Sequence, residues 1–386
     1  MPSTTIRVTV TDPDTAIPLA KVTVTADKPV AEQCRRYFDR RWHVDPAPRP
    51  TATGPVPVIS ATVDPHEAQA IRQLVIDHEH ERGLYGQDLA LRMRDDDGRA
   101  YAVQPDRVVA YRADPDRRRL DIFVPRRNMI GPAAVHLARD VIRAQLQADG
   151  WALLRGAAVV RDGKALLIAG AAGAGTTTAV LHLCRAGWQV ISDGQVFARP
   201  APGGVHLLPY PAPLATSLLL ADSVGLYDHV QEHFLADVPP AGPPQPDAIA
   251  CALRLGSRAA PVDELGMVQQ ALSHPAQLKL TPAAGGTAAA VLLPHVLPGL
   301  TEPTTDPHAE LDDDLFTEVD HYPDLLGLTA DTEPQADPVQ AVREALAPLP
   351  RWSVRLGHDP RETAAFLNTA ADNLVFGHSV AAGPAR

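Results

Sequence analysis

Apolar and polar positions alternate in short runs over the first 130 residues, and turn residues break the runs. TIRVTV (5–10) and KVTVTA (21–26) carry β-branched side chains at every second position, the period of a strand with one buried face. LALRMR and RAYAV flank Asp95-Asp96-Asp97-Gly98, whose Asp-Gly supplies the positive φ of a hairpin turn. VVAYRADPDRRRLDIFV (108–124) predicts a second hairpin, with the arginines Arg117, Arg118 and Arg119 at its solvated tip. Between these strands, Asp64-Pro65 followed by Glu67 gives a capping carboxylate, a first-turn proline and a capping-box acid. With the stripe Ile71, Leu74 and Val75, this predicts a helix over 65–82.

From Gly131 the period changes. The segment 131–150 is amphipathic, with Val135, Leu137, Ala138, Val141, Ile142 and Leu146 near one face, and predicts a helix. WALLRGAAVV, a turn at Arg161-Asp162-Gly163 and KALLIAG predict two strands, the second apolar throughout, as in a strand buried on both faces. TTTAVLHLCRAG predicts a helix closing at Gly187, and WQVISDG a further buried strand that ends in an acid. The expected organisation is a β-rich α+β region over 1–130 and an α/β domain over 131–386. Five prolines make 238–247 (VPPAGPPQPD) a stiff loop.

Composition narrows the function classes. No uninterrupted apolar stretch reaches the ~18 residues a membrane helix needs, and MPSTTIRVTV has no leader-like pattern, so a cytoplasmic protein without membrane partners is expected. Aromatics are 5% of the chain and the net charge is −11, which argues against nucleic acid as a partner. The basic residues are 31 Arg and 4 Lys among 61 Ala, a skew that fits a high-GC bacterial genome. The acidic segment 301–337 holds twelve Asp/Glu and no Lys/Arg, enough to account for the whole net charge. It is expected as a solvated loop, with docking of a protein partner as its alternative use. Its triplet Asp312-Asp313-Asp314 lacks the alternating ligands and turn glycine of a calcium loop.

One loop carries chemistry. Gly170-Ala171-Ala172-Gly173-Ala174-Gly175-Thr176-Thr177-Thr178 follows the buried strand and opens the helix. Against the phosphate-loop spacing G-x-x-x-x-G-K-[ST], Gly170 and Gly175 fall in register and Thr177 takes the hydroxyl position, while Thr176 stands where lysine belongs. Such a loop turns successive backbone N–H groups, together with a helix N-terminus, onto phosphate oxygens. The candidate nucleotide-binding set is Gly170, Gly173, Ala174, Gly175, Thr176, Thr177 and Thr178. The candidate Mg²⁺ ligands are Thr177 and Asp193, the latter at a strand's carboxyl end.

LLRGAAVVRDGKALLIAGAAGAGTTTAVLHLCRAGWQVISDG resembles the HPr kinase/phosphorylase family, and more closely its smaller relatives associated with modified-peptide pathways. AIACALRLGSRAAPVDEL and LPRWSVRLGHDP resemble strand segments that follow in such proteins. The resemblance implies a phosphoenolpyruvate-carboxykinase-like P-loop fold and phosphoryl transfer from ATP or another nucleotide, with Mg²⁺, to a Ser/Thr hydroxyl of a peptide or small molecule. It implies that Asp193 takes the hydroxyl proton. Three positions depart from the pattern: Thr176 replaces lysine, Arg155 replaces a histidine and Gly194 replaces a second aspartate. A lost unit charge at ~4 Å is worth about 4 kcal/mol at an effective dielectric of ~20. Either another cation compensates or the chain is a degenerate pseudokinase that scaffolds a partner. Arg155 is the candidate second catalytic group, with Arg258, Arg161 and Lys164 as weaker ones.

The remaining constellations are bland. His78 and His80 point in different directions on a helix and do not share a metal. His136 and His182 are helix histidines, Trp151 and Trp188 packing residues, and Cys184 a buried inert thiol. The three cysteines form no C-x-x-C pair, and no G-x-S-x-G or H-E-x-x-H occurs.

Overall fold

The computed structural model describes residues 3–38, 41–48, 56–85, 88–116, 118–171, 173–236, 245–264, 266–297, 299–311, 313–316, 324–328, 337–357 and 359–377. The chain divides into two compact units: Met1–Trp151 with Val319–Gln335, and Ala152–Glu318 with Ala336–Arg386. The helix that follows the change of period therefore belongs to the first unit, and the division falls some twenty residues beyond the expected 130. Both units are mixed α/β.

The first unit opens with β1 (Ser3–Thr11), β2 (Pro18–Asp27), α1 (Lys28–Phe38), β3 (His43–Pro46), β4 (Val58–Val63) and α2 (Pro65–Asp77). It continues through β5 (Glu81–Tyr85), β6 (Asp88–Arg94), β7 (Ala100–Gln104), β8 (Val109–Ala113), β9 (Arg119–Val124) and α3 (Arg127–Ala148). Its nine strands run in the order β3-β1-β2-β4-β9-β8-β7-β6-β5, and only β2–β4 and β4–β9 are parallel pairs. Both expected hairpins form, β6–β7 and β8–β9; Arg117 lies outside the described residues. Asp64 caps α2 through the N–H groups of His66 and Glu67. The helix stops at Asp77, short of the expected 82, because Glu81 enters β5 and pairs with Arg92 of β6. Glu67 does not close a capping box. Its carboxylate accepts from Arg112 at 2.8 Å, and Arg112 also holds Asp121.

The amphipathic reading of α3 caught only half of it. Its apolar stripe is buried as expected, but so are Arg139, Asp140 and Arg143. Tyr85 donates to Asp140 Oδ2, Arg139 donates to the Tyr37 hydroxyl at 3.1 Å, and Asp140 Oδ1 has no hydrogen-bond partner among the described residues. Burial lifts the Asp140 carboxyl to about 6 against the pull of Arg143 and Arg139, and drops His136 to about 3.

The second unit contains β10 (Ala152–Arg155), β11 (Ala157–Arg161), β12 (Lys164–Ile168), α4 (Thr176–Arg185), β13 (Gln189–Ser192), β14 (Gln195–Ala201), β15 (Gly204–Pro209) and β16 (Leu214–Thr216). Then come α5 (Leu218–Ser223), α6 (Tyr227–Leu235), α7 (Asp247–Leu255), β17 (Ala271–Ser273), β18 (Gly286–Val296), β19 (Thr304–Asp306), α8 (Pro338–Leu346), β20 (Arg351–Leu356) and α9 (Pro360–Phe376). The main sheet has the order β10-β14-β15-β18-β12-β11-β13, with β20 and β19 continuing from β18. Alternation along β12 sends Leu166 and Ile168 into a core with α4 and α9, and Ala165 and Leu167 into a core with α8.

The apolar run WALLRGAAVV is two strands, not one. At Gly156 the backbone N–H leaves the strand for the carbonyl of Gly194, and a Cβ there would sit 2.9 Å from the Ile168 carbonyl. β10 consequently pairs with β14, while β11 pairs with β12 and β13. The segment from Asp247 to Leu255, whose resemblance implied a strand, is the helix α7. Of the proline-rich loop 238–247, residues 238–244 lie outside the described residues. The acidic segment is not simply a solvated loop: Thr304–Asp306 forms β19, and Leu315, Phe316, Leu325 and Leu326 are buried. Among the described residues no helix is long and apolar enough to cross a membrane.

Candidate functional site

Strands β12, β18 and β20 are mutually parallel, and β13 shares their direction because it is antiparallel to β11, which is antiparallel to β12. Four carboxyl ends therefore meet at one end of the sheet, the position where open α/β sheets collect ligand-binding loops. The 170–175 loop leaves β12 there. Ala174 donates to the Ala171 carbonyl at 3.0 Å, and Val296 at the end of β18 donates to the Ala174 carbonyl at 3.0 Å. Gly173 and Gly175 have φ of +84° and +107°. At Gly175 a side chain is doubly barred, because a Cβ would also lie 2.5 Å from Val296 Cγ2. Ala172 lies outside the described residues.

Gly175 is the N-cap of α4 and brings no side chain to cap it. The first N–H groups of α4, at Thr176, Thr177 and Thr178, are the ones a helix leaves without an internal partner, and they carry the positive end of its dipole. Thr177 faces the end of β13. Its hydroxyl donates to Asp193 Oδ2 at 3.0 Å and lies 3.2 Å from Oδ1. Asp193 is 8% exposed, and burial raises its carboxyl to about 6 although Thr177 and the Gly194 N–H hold the charged form. The residues that the sequence nominates on two segments thus meet in one place.

A hydroxyl knot fixes that strand end. Ser192 is buried, and its Oγ contacts the Gln195 and Tyr210 carbonyls while accepting the Tyr210 N–H at 3.2 Å. Gly194, with φ +86°, turns the chain into β14 and takes the Gly156 N–H at 3.1 Å. Arg155 sits beside this turn: it ends β10 and pairs with Gln195. Ala152 and Leu154 belong to the α8-side core, so alternation puts Arg155 on the α4 side of the sheet. It is half-buried and makes no hydrogen bond or ion pair with another described residue.

The weaker cation candidates are committed elsewhere. Arg161 pairs with Asp372 and stacks 4.5 Å from the Trp188 ring, and Lys164 lies 5.2 Å from Phe376. Both stand at the end of β11 and the start of β12, the end of the sheet remote from the loop. Arg258 pairs with Asp222 and Asp228. His78 and His80 bond to local carbonyls. Trp151 and Trp188 are buried, and burial with the nearby Asp193 charge pushes the half-buried Cys184 thiol to about 12.

As oxygen donors, Thr177 and Asp193 suit Mg²⁺. Two oxygens 3.0 Å apart match adjacent ligands around an octahedral ion with bonds of ~2.1 Å. No group of three or more His, Cys, Asp or Glu gathers among the described residues, so the remaining ligands would be phosphate oxygens and water. The contribution of Val296 and the Ser192 knot carried no signal in the sequence, since Val296 comes some 120 residues after the loop it braces. No family model matches the chain, and no curated protein matches it.

Proposed function

We propose that the second unit is a lysine-less P-loop phosphotransferase of the HPr-kinase kind. It binds the phosphates of ATP or another nucleotide with Mg²⁺ and transfers a phosphoryl group to a Ser/Thr hydroxyl of a peptide or small molecule. The hydrogen bond between Thr177 and Asp193 carries this reading, because it joins the glycine loop to the one acid that the reaction needs. In it, the loop N–H groups and the α4 N-terminus hold phosphate oxygens. Thr177 and Asp193 would hold Mg²⁺, which when bound would supply charge neutralisation on the transferring phosphoryl group. Asp193, whose carboxyl titrates near 6, is ionised at neutral pH and accepts the acceptor's hydroxyl proton. Arg155, on the α4 side and without another partner among the described residues, meets the charge that lysine would otherwise meet.

The experiment is a thermal-shift titration with Mg·ATP, Mg·ADP and Mg·GTP on wild type, Arg155→Ala and Thr176→Lys, followed by transfer of labelled phosphate to candidate hydroxyl acceptors. Ligand at ~100 times its dissociation constant stabilises the folded state by about 2.7 kcal/mol. A wild-type shift that Arg155→Ala reduces by about half is the expected result. Thr176 in the lysine position favours a second reading, a non-catalytic scaffold. A shift only in Thr176→Lys would decide for it.

A further inference from the structure

The far end of α4 carries a second constellation. A groove of about 430 Å³ is lined by His182 and Arg185 of α4, Ser223 and Val224 at the end of α5, and Asp359, Arg361 and Ala364 at the start of α9. His182 is 6% exposed, and its ring hydrogen-bonds to no described residue. Arg185 and Arg361 are exposed and form no ion pair with a described residue. The one acid in the lining is already engaged: Asp359 caps α9 by accepting the N–H groups of Arg361 and Glu362 at 2.8 and 2.9 Å. Two guanidiniums and an imidazole thus line an open groove, where the Ser223 hydroxyl donates to the Leu220 carbonyl at 2.9 Å and the capping Asp359 also feels the Arg361 charge. The rise of ~1.5 Å per residue puts His182 and Arg185 about 9–13 Å along α4 from Thr176, and no residue of the glycine loop lines the groove.

We propose that this groove is a binding site for a small oxyanion, a phosphoryl- or carboxylate-bearing metabolite that bridges α4, α5 and α9. Guanidiniums recognise both groups through paired N–H donors, and a buried imidazole with no internal partner supplies a further donor whose desolvation an anion offsets. The 430 Å³ suits a compact metabolite and falls in the range of small-molecule sites. The inference does not depend on phosphoryl transfer at the loop.

The test follows the His182 ring signals by NMR in the full chain at ~0.15 M chloride, titrating inorganic pyrophosphate and, separately, citrate. Wild type is compared with His182→Gln, to assign the signals, with Arg185→Gln/Arg361→Gln and with Thr177→Ala. The expected result is a saturable movement in wild type and in Thr177→Ala, weakened about tenfold or more in the double arginine variant. The anion that acts at lower concentration identifies the phosphoryl or carboxylate class. No movement with either anion, equal movement in the double variant, or loss of movement in Thr177→Ala would each overturn the proposal. Both arginines are exposed, and an unchanged melting temperature confirms that the double variant is folded.

Discussion

Two buried aspartates, one in each unit, titrate at about the same pH and do different things. Asp140 sits mid-helix on α3 with Arg139 and Arg143 on the same helix and a Tyr85 hydroxyl on one oxygen. Asp193 sits at a strand end, held by the hydroxyl and amide hydrogens of Thr177 and Gly194, with no cation among the described residues acting on it. In both, loss of water raises the carboxyl to about 6. A displaced titration therefore marks burial, and burial alone does not mark chemistry. Position separates the two: only Asp193 lies where a glycine loop, an uncapped helix N-terminus and four strand ends converge.

The largest expected difference is catalytic. Asp193→Asn should lower phosphoryl transfer at least ~100-fold, the usual worth of a general base, whereas Asp140→Asn should leave nucleotide-induced stabilisation in place. Equal loss in both variants, in the labelled-phosphate assay and the thermal shift, would break the comparison. Next comes the loop frame. Gly175→Ala meets both a positive φ and Val296, and should cost about 2 kcal/mol or more in denaturant unfolding. Gly173→Ala meets open space within 4 Å and should cost only about 1 kcal/mol. Val296→Ala should recover part of the Gly175→Ala loss and none of the Gly173→Ala loss.

A smaller effect separates the arginines. Arg155→Ala should weaken Mg·nucleotide affinity about tenfold by calorimetry, while Arg161→Ala should lower stability by losing Asp372, Trp188 and Phe376 and leave affinity unchanged. The last effect is read in pH dependence and not in a single midpoint: the linkage of the two acids. Each carboxyl is raised from 3.8 to about 6 on folding, so the folded state holds its proton more tightly. The associated stability is complete below pH ~4 and is lost as pH rises through 6. Melting curves of Asp193→Asn should therefore gain on wild type between pH 4 and 6 and keep a constant lead above it. The shift bounds that lead at about 3 kcal/mol. A lead of the same size at pH 4 would show that the gain has another origin.

Much of the first unit's local structure was legible, because its strands have the period of one buried face and its turns carry Asp-Gly or Asp-Pro. The capping of α2 by Asp64 was equally local. The fate of Glu67 was not, because Arg112 arrives from another strand. The ionic face of α3 was missed because His136, Arg139, Asp140 and Arg143 fall on the polar side of the helical pattern, which ordinarily faces water. WALLRGAAVV concealed two strands because both are apolar, and only the approach of Ile168 and Gly194 at Gly156 separates them.

At the candidate site, the order strand, glycine loop, helix, strand and acid was set by sequence, since each step rests on side-chain periodicity and on glycine's access to positive φ. The meeting of Thr177 with Asp193, the bracing of Gly175 by Val296 and the placement of Arg155 beside Gly194 were decided only by the tertiary structure. Each joins segments whose spacing along the chain sets no distance between them. That distance comes from the parallel pairing of β12 with β18 and the shared direction of β13, which bring the strand ends to one side of the sheet.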